Sequence, residues 1–132
     1  MAAVGSADVE LELIGWTQAR VPTGALVRDE LDNNLLEELP TVQLEVVGGD
    51  DDGFRLDRPL VDVNVYAATR GEALALAATV HALYLTQLRG SKTANAVFGM
   101  VRTVSRPAVR PYENTALRRV GATYEIFCHP VD

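Results

Sequence analysis

Residues Pro59 to Pro130 carry one ordered series of patterns, and that order limits the possible fold more than any other feature of the chain. Leu60-Val61-Asp62-Val63-Asn64-Val65-Tyr66 alternates apolar and polar side chains, the period of two of a strand with one buried face. Thr69 follows, with Glu72 three residues on, the spacing of a capping box. Alanines and leucines then lead to Arg89-Gly90, a basic last turn closed by a glycine, so a helix is expected from Thr69 to Gly90. Two further β-like runs, Ala94 to Ser105 and Leu117 to His129, complete a strand–helix–strand–strand order. The first has an imperfect alternation near Gly99, where a bulge would fit. In the second, Val120, Ala122, Tyr124, Ile126 and Cys128 share one face, and Arg119, Thr123, Glu125, Phe127 and His129 the other.

Upstream, Thr41 to Val47 alternates like a strand, and Gly48-Gly49-Asp50-Asp51-Asp52-Gly53 reads as the tip of a hairpin joining it to Leu60–Ala67. Leu26, Leu31, Leu35, Leu36 and Leu39 follow roughly helical spacing, so Ala25 to Leu39 is expected to be a helix ended by Pro40. Residues 1–24 are expected to form an N-terminal arm or edge strand, because Val9, Leu11 and Leu13 alternate with Glu10 and Glu12. The fold class is then α+β: a small, mainly antiparallel sheet of about four strands covered by two helices, with residues 25–132 as a single domain. At 132 residues the chain is long enough for one continuous core.

Projected at about 100° per residue, Ala73, Leu74, Ala77, Val80, His81, Tyr84 and Leu88 fall on one face of the long helix. Leu76 and Leu83 fall away from its centre, and apolar residues on two sides point to a second cover, which in a small chain can be another subunit. Charge is uneven too. Twelve Lys+Arg against 18 Asp+Glu give −6, which argues against sequence-independent nucleic-acid binding. Yet Arg102, Arg106, Arg110, Arg118 and Arg119 gather near the C-terminus while most acid lies in the N-terminal half. These arginines read equally as a solvated strand edge or as a rim that docks a subunit or partner.

Catalytic patterns find no support. Asp50-Asp51-Asp52 lacks the alternating acids and later glutamate of a calcium loop. His81 and His129 have no second ligand at metal spacing; His81 reads as a partly buried packing residue and His129 as exposed. Cys128 reads as a buried structural thiol, and a single cysteine allows no intrachain disulfide. Ser6, Ser91 and Ser105 sit in no nucleophile elbow, and the glycines in no phosphate cradle. No catalytic, cofactor or metal residues are therefore expected. Met1-Ala2-Ala3-Val4-Gly5-Ser6 lacks the basic start and apolar centre of a signal peptide, and no window has the length of a membrane span, so synthesis in the cytosol is expected.

In element order the chain resembles the tail terminator (tail completion) proteins of long-tailed bacteriophages, especially the minor tail proteins of actinobacterial siphophages. The resemblance rests on Ala25–Leu39 before Pro40, the strand pair, Val61-Asp62-Val63-Asn64-Val65-Tyr66-Ala67, and the helix opening Thr69-Arg70-Gly71-Glu72-Ala73. Arg110-Pro111-Tyr112-Glu113-Asn114 before Arg118-Arg119-Val120-Gly121-Ala122-Thr123-Tyr124-Glu125 is similar to the family's closing segment. The resemblance implies a structural virion protein, made in the bacterial host cytoplasm, that assembles with itself into a hexameric ring. Such a ring caps the head-proximal end of the tail tube, stops tube polymerisation and docks the tail to head-completion or connector proteins, without cofactor or chemistry. The surplus apolar and basic surface of the chain itself, and not the resemblance, leads to the expectation that subunit or partner contacts use Leu76, Leu83, Arg102, Arg106, Arg118 and Arg119. The alternatives are another neck component, such as a head–tail connector or head-closure protein, and a small α+β enzyme or ligand-binding domain.

Overall fold

The computed structural model describes residues 7–131; the expectations that Met1–Ser6 forms no signal peptide and that Ser6 is no nucleophile fall outside the described residues. The chain forms α1 (Val9–Gln18), β1 (Leu26–Arg28), β2 (Thr41–Asp51), β3 (Asp57–Ala67), α2 (Arg70–Leu83), β4 (Ala96–Arg110) and β5 (Arg118–Pro130). The strands make one sheet in the order β1-β2-β3-β5-β4. β1 runs parallel to β2 and every other pair is antiparallel, so the α+β class holds with a mixed sheet of five strands instead of about four antiparallel ones. Among the described residues, no helix is long and apolar enough to cross a membrane.

Two segments depart from the sequence reading. Residues 9–18 are a helix, not a strand or arm, capped by Asp8, whose side chain accepts from the Leu11 N–H at 3.1 Å. Val9, Leu13, Trp16 and Thr17 are buried at helical spacing, whereas Leu11 points to solvent. The short alternation of Val9, Leu11 and Leu13 imitates a strand because i and i+4 are also two steps of a period-two pattern. Residues 25–39 are not a helix. They hold β1, a turn and a single 3-10 turn at Leu35–Glu37, because Asp32 and Asn34 close a local side-chain-to-backbone bond of 2.8 Å that competes with helical pairing. Pro40 follows a cis peptide bond.

The hairpin and α2 follow their signals. The β2–β3 ladder runs from Thr41↔Tyr66 to Asp51↔Asp57 with a bulge at Val46/Gly48. Its loop is held by Asp52, whose Oδ1 accepts from the backbone of Phe54, Arg55 and Leu56. Gly49 has φ +113° and a Cβ there would run into the Arg58 and Leu60 backbone, so only glycine lets the two strands approach there. Thr69 caps α2 by accepting from the Glu72 N–H at 3.2 Å, an interaction of about 1 kcal/mol. The helix ends in a widened π turn at Tyr84–Leu88, and Gly90 takes φ +76°.

Both helices lie on the same face of the sheet. α1 packs on β1 and β2, and α2 on β3, β5 and β4. Leu13, Trp16, Ala73, Ala77, Val80 and Tyr84 meet Val42, Leu44, Val61, Val63, Val65, Val120 and Tyr124 in one core. Leu76 belongs to that core, only 7% exposed, and Leu83 is half-buried against it. The second apolar side expected of α2 is thus not surplus. Its flank is partly lined by the chain's own Pro22, Ala25 and Pro40, which share a groove with Leu76.

Among the described residues, the opposite face carries a hydrophobic cluster at one end. Leu35, Tyr66 and Leu117 form a second cluster there, joined by Leu31, Leu39 and Tyr112 from the segments 29–39 and 111–117. The Tyr66 hydroxyl donates to Gln43 Oε1 at 3.1 Å.

Candidate functional site

The two long edges of this sheet are unlike. β1 is three residues long, and the Gln18 side chain occupies its outer side, donating to Ala25 O at 2.8 Å and accepting from the Val27 N–H at 2.9 Å. β4 is fifteen residues long and runs on to Arg110, past the Ser105 end read from the sequence. Its first half is covered: Phe98 N–H bonds Ser91 O at 2.8 Å, and the Arg89 guanidinium bonds Val101 O. Beyond Val101 no described residue of β4 is buried, and Met100, Val104 and Val109 are exposed. A long strand edge with apolar side chains open to solvent is a template for pairing. Here it is broken by register shifts between Thr103 and Ala108, by Pro107 and by charge, devices that restrict what can pair with it.

The arginines take distinct positions on this half of the sheet. Arg102 pairs with Glu125 at 3.1 Å while most of its side chain stays in solvent, and Arg106 is exposed. Arg110 crosses the helix-free face to Asp62 at 3.7 Å, Asn64 Oδ1 at 3.0 Å and Thr123 Oγ1 at 3.3 Å, where Thr123 also donates to Asp62. Gly121 makes that crossing possible, since a Cβ there would overlap Arg110 and Asn64. The polar partners Asp62 and Asn64 were visible in the sequence as the far side of an alternation; Arg110 as their counter-charge was not, because the pairing spans two strands.

Arg118 and Arg119 stand at the start of β5 beside the 111–117 segment. Arg118 Nη1 donates to Thr115 O at 2.8 Å and Leu117 O at 3.0 Å. Arg119 Nη2 donates to Pro111 O at 2.9 Å, its guanidinium lies 5.5 Å from the Tyr112 ring centre, and its buried Nε has no hydrogen-bond partner among the described residues. Val109, Arg110, Pro111, Tyr112, Arg118 and Arg119 border an open cavity of about 240 Å³. Among the described residues no carboxylate pairs with Arg118 or Arg119.

No family model and no curated protein matches the chain.

The opposite end of the sheet is acidic. Asp8, Glu10, Asp50, Asp51 and Asp57 border a cavity of about 400 Å³ between the start of α1 and the β2–β3 hairpin. Glu10 Oε2 accepts from the Val46 N–H at 3.0 Å and Asp50 pairs with Arg58 at 2.6 Å. Burial, reinforced by Asp51, raises the Asp57 carboxyl above its ordinary pKa. Among the described residues no three His, Cys, Asp or Glu side chains gather as a metal set.

His81, His129 and Cys128 lie wholly or partly inside the fold. His81 Nδ1 meets the Tyr124 hydroxyl at 2.7 Å, half-buried, with its pKa lowered by burial and by Arg106 nearby. His129 is half-buried rather than exposed, its Nδ1 close to Pro130 O and to Arg55. Cys128 is buried against the core, and burial pushes its thiol up to about 12. At pH 8 the native thiol is therefore expected to react with a disulfide reagent roughly a hundredfold or more slowly than the same chain in denaturant, since the thiolate is the nucleophile. Absorbance of the released thiolate measures both rates, and equal rates would place Cys128 at the surface.

Proposed function

We propose that this chain is a self-assembling structural subunit whose ring caps the head-proximal end of a phage tail tube, ends tube polymerisation and presents the docking surface for head-completion proteins. The observation that carries this reading is the unequal treatment of the sheet edges, with β1 sealed by Gln18 and the far half of β4 left open beside Val104 and Val109. The exposed apolar side chains on that edge gain by being covered when the chain assembles, and its bulges, Pro107 and arginines restrict which surface can cover them. The arginine-rich and acidic ends supply directionality, and a head-to-tail contact between unlike surfaces closes into a ring when the rotation per subunit permits. The identity of the assembly comes from the resemblance of the segments from β2 onward, since the expected helix over residues 25–39 is absent, and the reading involves no cofactor and no enzymatic step.

Electron microscopy of tails made without this protein tests it. Overlong tails lacking heads are expected, and tails of normal length would refute the role. Light scattering on the purified chain is expected to give a ring of about six subunits.

A further inference from the structure

The arginine end and the acidic end lie at opposite limits of the same strands. Arg118 pairs in register with Ala67 at one end of β3, and Cys128 with Asp57 at the other. Ten residues of strand separate them, roughly 30–35 Å. In a chain of net charge −6, Arg118 and Arg119 are two cations whose donors reach backbone carbonyls and whose own surroundings offer no paired carboxylate. Glu113 and the acids of the adjoining 29–39 segment make no ion pair with them among the described residues. The carbonyls of Pro111, Thr115 and Leu117 and the Tyr112 ring hold both guanidiniums in place, so little side-chain freedom is lost when an anion arrives. Arginine in such a fixed setting suits a carboxylate better than a mobile lysine would.

We propose that this cavity is a carboxylate-binding site whose ligand is the Asp50–Asp52 hairpin tip of a second copy of this chain. The tip is exposed, ends the β2–β3 hairpin, and has its loop stiffened by Asp51 Oδ1, which accepts from the Gly53 N–H, and Asp52 Oδ1, which accepts from the Phe54, Arg55 and Leu56 N–H groups. Asp50 is held by Arg58, whereas Asp51 carries no ion pair among the described residues. Charge complementarity selects a second copy as the occupant: the hairpin tip carries three adjacent aspartates at one end of the sheet, and at the other end the acids of the 29–39 segment leave Arg118 and Arg119 without an ion pair among the described residues. The contact is heterologous, so every subunit offers one tip and one pocket. It specifies which parts of the proposed ring subunit meet, and in that respect it rests on the ring reading.

The test is a charge exchange between two full-length variants, Arg118→Glu and Asp51→Arg, followed by sedimentation velocity across concentration and salt. Each variant alone sets like charges against each other, and its half-assembly concentration is expected to rise at least about tenfold. An equal mixture restores opposite charges at every contact when the two variants alternate. The arginine introduced at the tip of one variant then meets the glutamate introduced in the pocket of the other, and the unaltered Asp51 meets the unaltered Arg118. Assembly of the mixture is expected to return to the wild-type concentration range, in alternating order, with stronger assembly at low salt. Arg118 is exposed and bonds to backbone carbonyls, so Arg118→Glu should keep the fold, which circular dichroism checks; Asp51→Arg carries the same test from the other side. A ring indifferent to both variants overturns the proposed contact and leaves the ring reading standing. Two impaired variants that fail to complement each other overturn it as well. A wild-type chain that is monomeric at every concentration overturns both.

Discussion

Trp16→Ala is expected to lower the unfolding free energy by about 3–5 kcal/mol, the usual cost of truncating a large buried aromatic residue. Trp16 is 4% exposed, packs edge-on against Tyr84 with ring centres 5.8 Å apart, and lies under the Arg20 guanidinium at 4.1 Å. Tyr84 in turn meets Tyr124 at 5.4 Å and shares a 2.8 Å hydrogen bond with Thr17. The indole thus ties α1 to α2 and, through Tyr84, to β5. Urea denaturation followed by far-ultraviolet circular dichroism measures the cost without relying on the lost indole. A loss below about 1 kcal/mol would mean that residues 9–18 are a peripheral arm after all, since surface substitutions typically stay within about 0.5 kcal/mol.

Tyr66→Ala is expected to cost a comparable amount, about 3–5 kcal/mol, and to act on the candidate site as well as on stability. Tyr66 is 1% exposed and is the sheet's anchor for the second cluster with Leu35 and Leu117, with Tyr112 edge-on at 5.2 Å. It also stands beside Arg119, its register partner on β5, close enough to soften the rise that burial imposes on the phenol. Removing the ring takes the support from beneath the 111–117 segment, whose carbonyls hold Arg118 and Arg119. Hydrogen exchange should therefore quicken most in residues 29–39 and 111–117, while α1 and α2 keep their relative protection. Uniform loss of protection across the sheet would show that the second cluster is not a separable unit.

These two residues also mark the limits of the sequence as a guide. β3, β5, the capped start of α2 and its glycine stop were legible because each depends on local rules: alternation, a side-chain cap, a left-handed glycine. Cys128 on the inward face followed from the same alternation. The leucines at 26, 31, 35, 36 and 39 misled because their helical spacing was interrupted by Asp29, Asp32, Asn33 and Asn34, which favour local turns. β1 exists because β2 lies beside it and Gln18 seals its other side, and neither partner is adjacent in sequence. Leu76 was misassigned for a related reason. Helical projection measures the angle from one face, but the cover that α2 meets includes the 22–25 segment and Pro40 on its flank.

The site divides in the same way. Sequence alone placed five arginines near the C-terminus and acid toward the other half of the chain, and it found no catalytic pattern. It could not distinguish a committed arginine from an available one. The structure sends Arg110 to Asp62 and Arg102 to Glu125, and sets Arg118 and Arg119 on backbone carbonyls around an open cavity. Periodicity and caps are properties of neighbouring residues, so the chain determines them as written. Ion pairs, sealed edges and opposed ends are properties of strands brought together from far apart, and only the closed sheet assigns them.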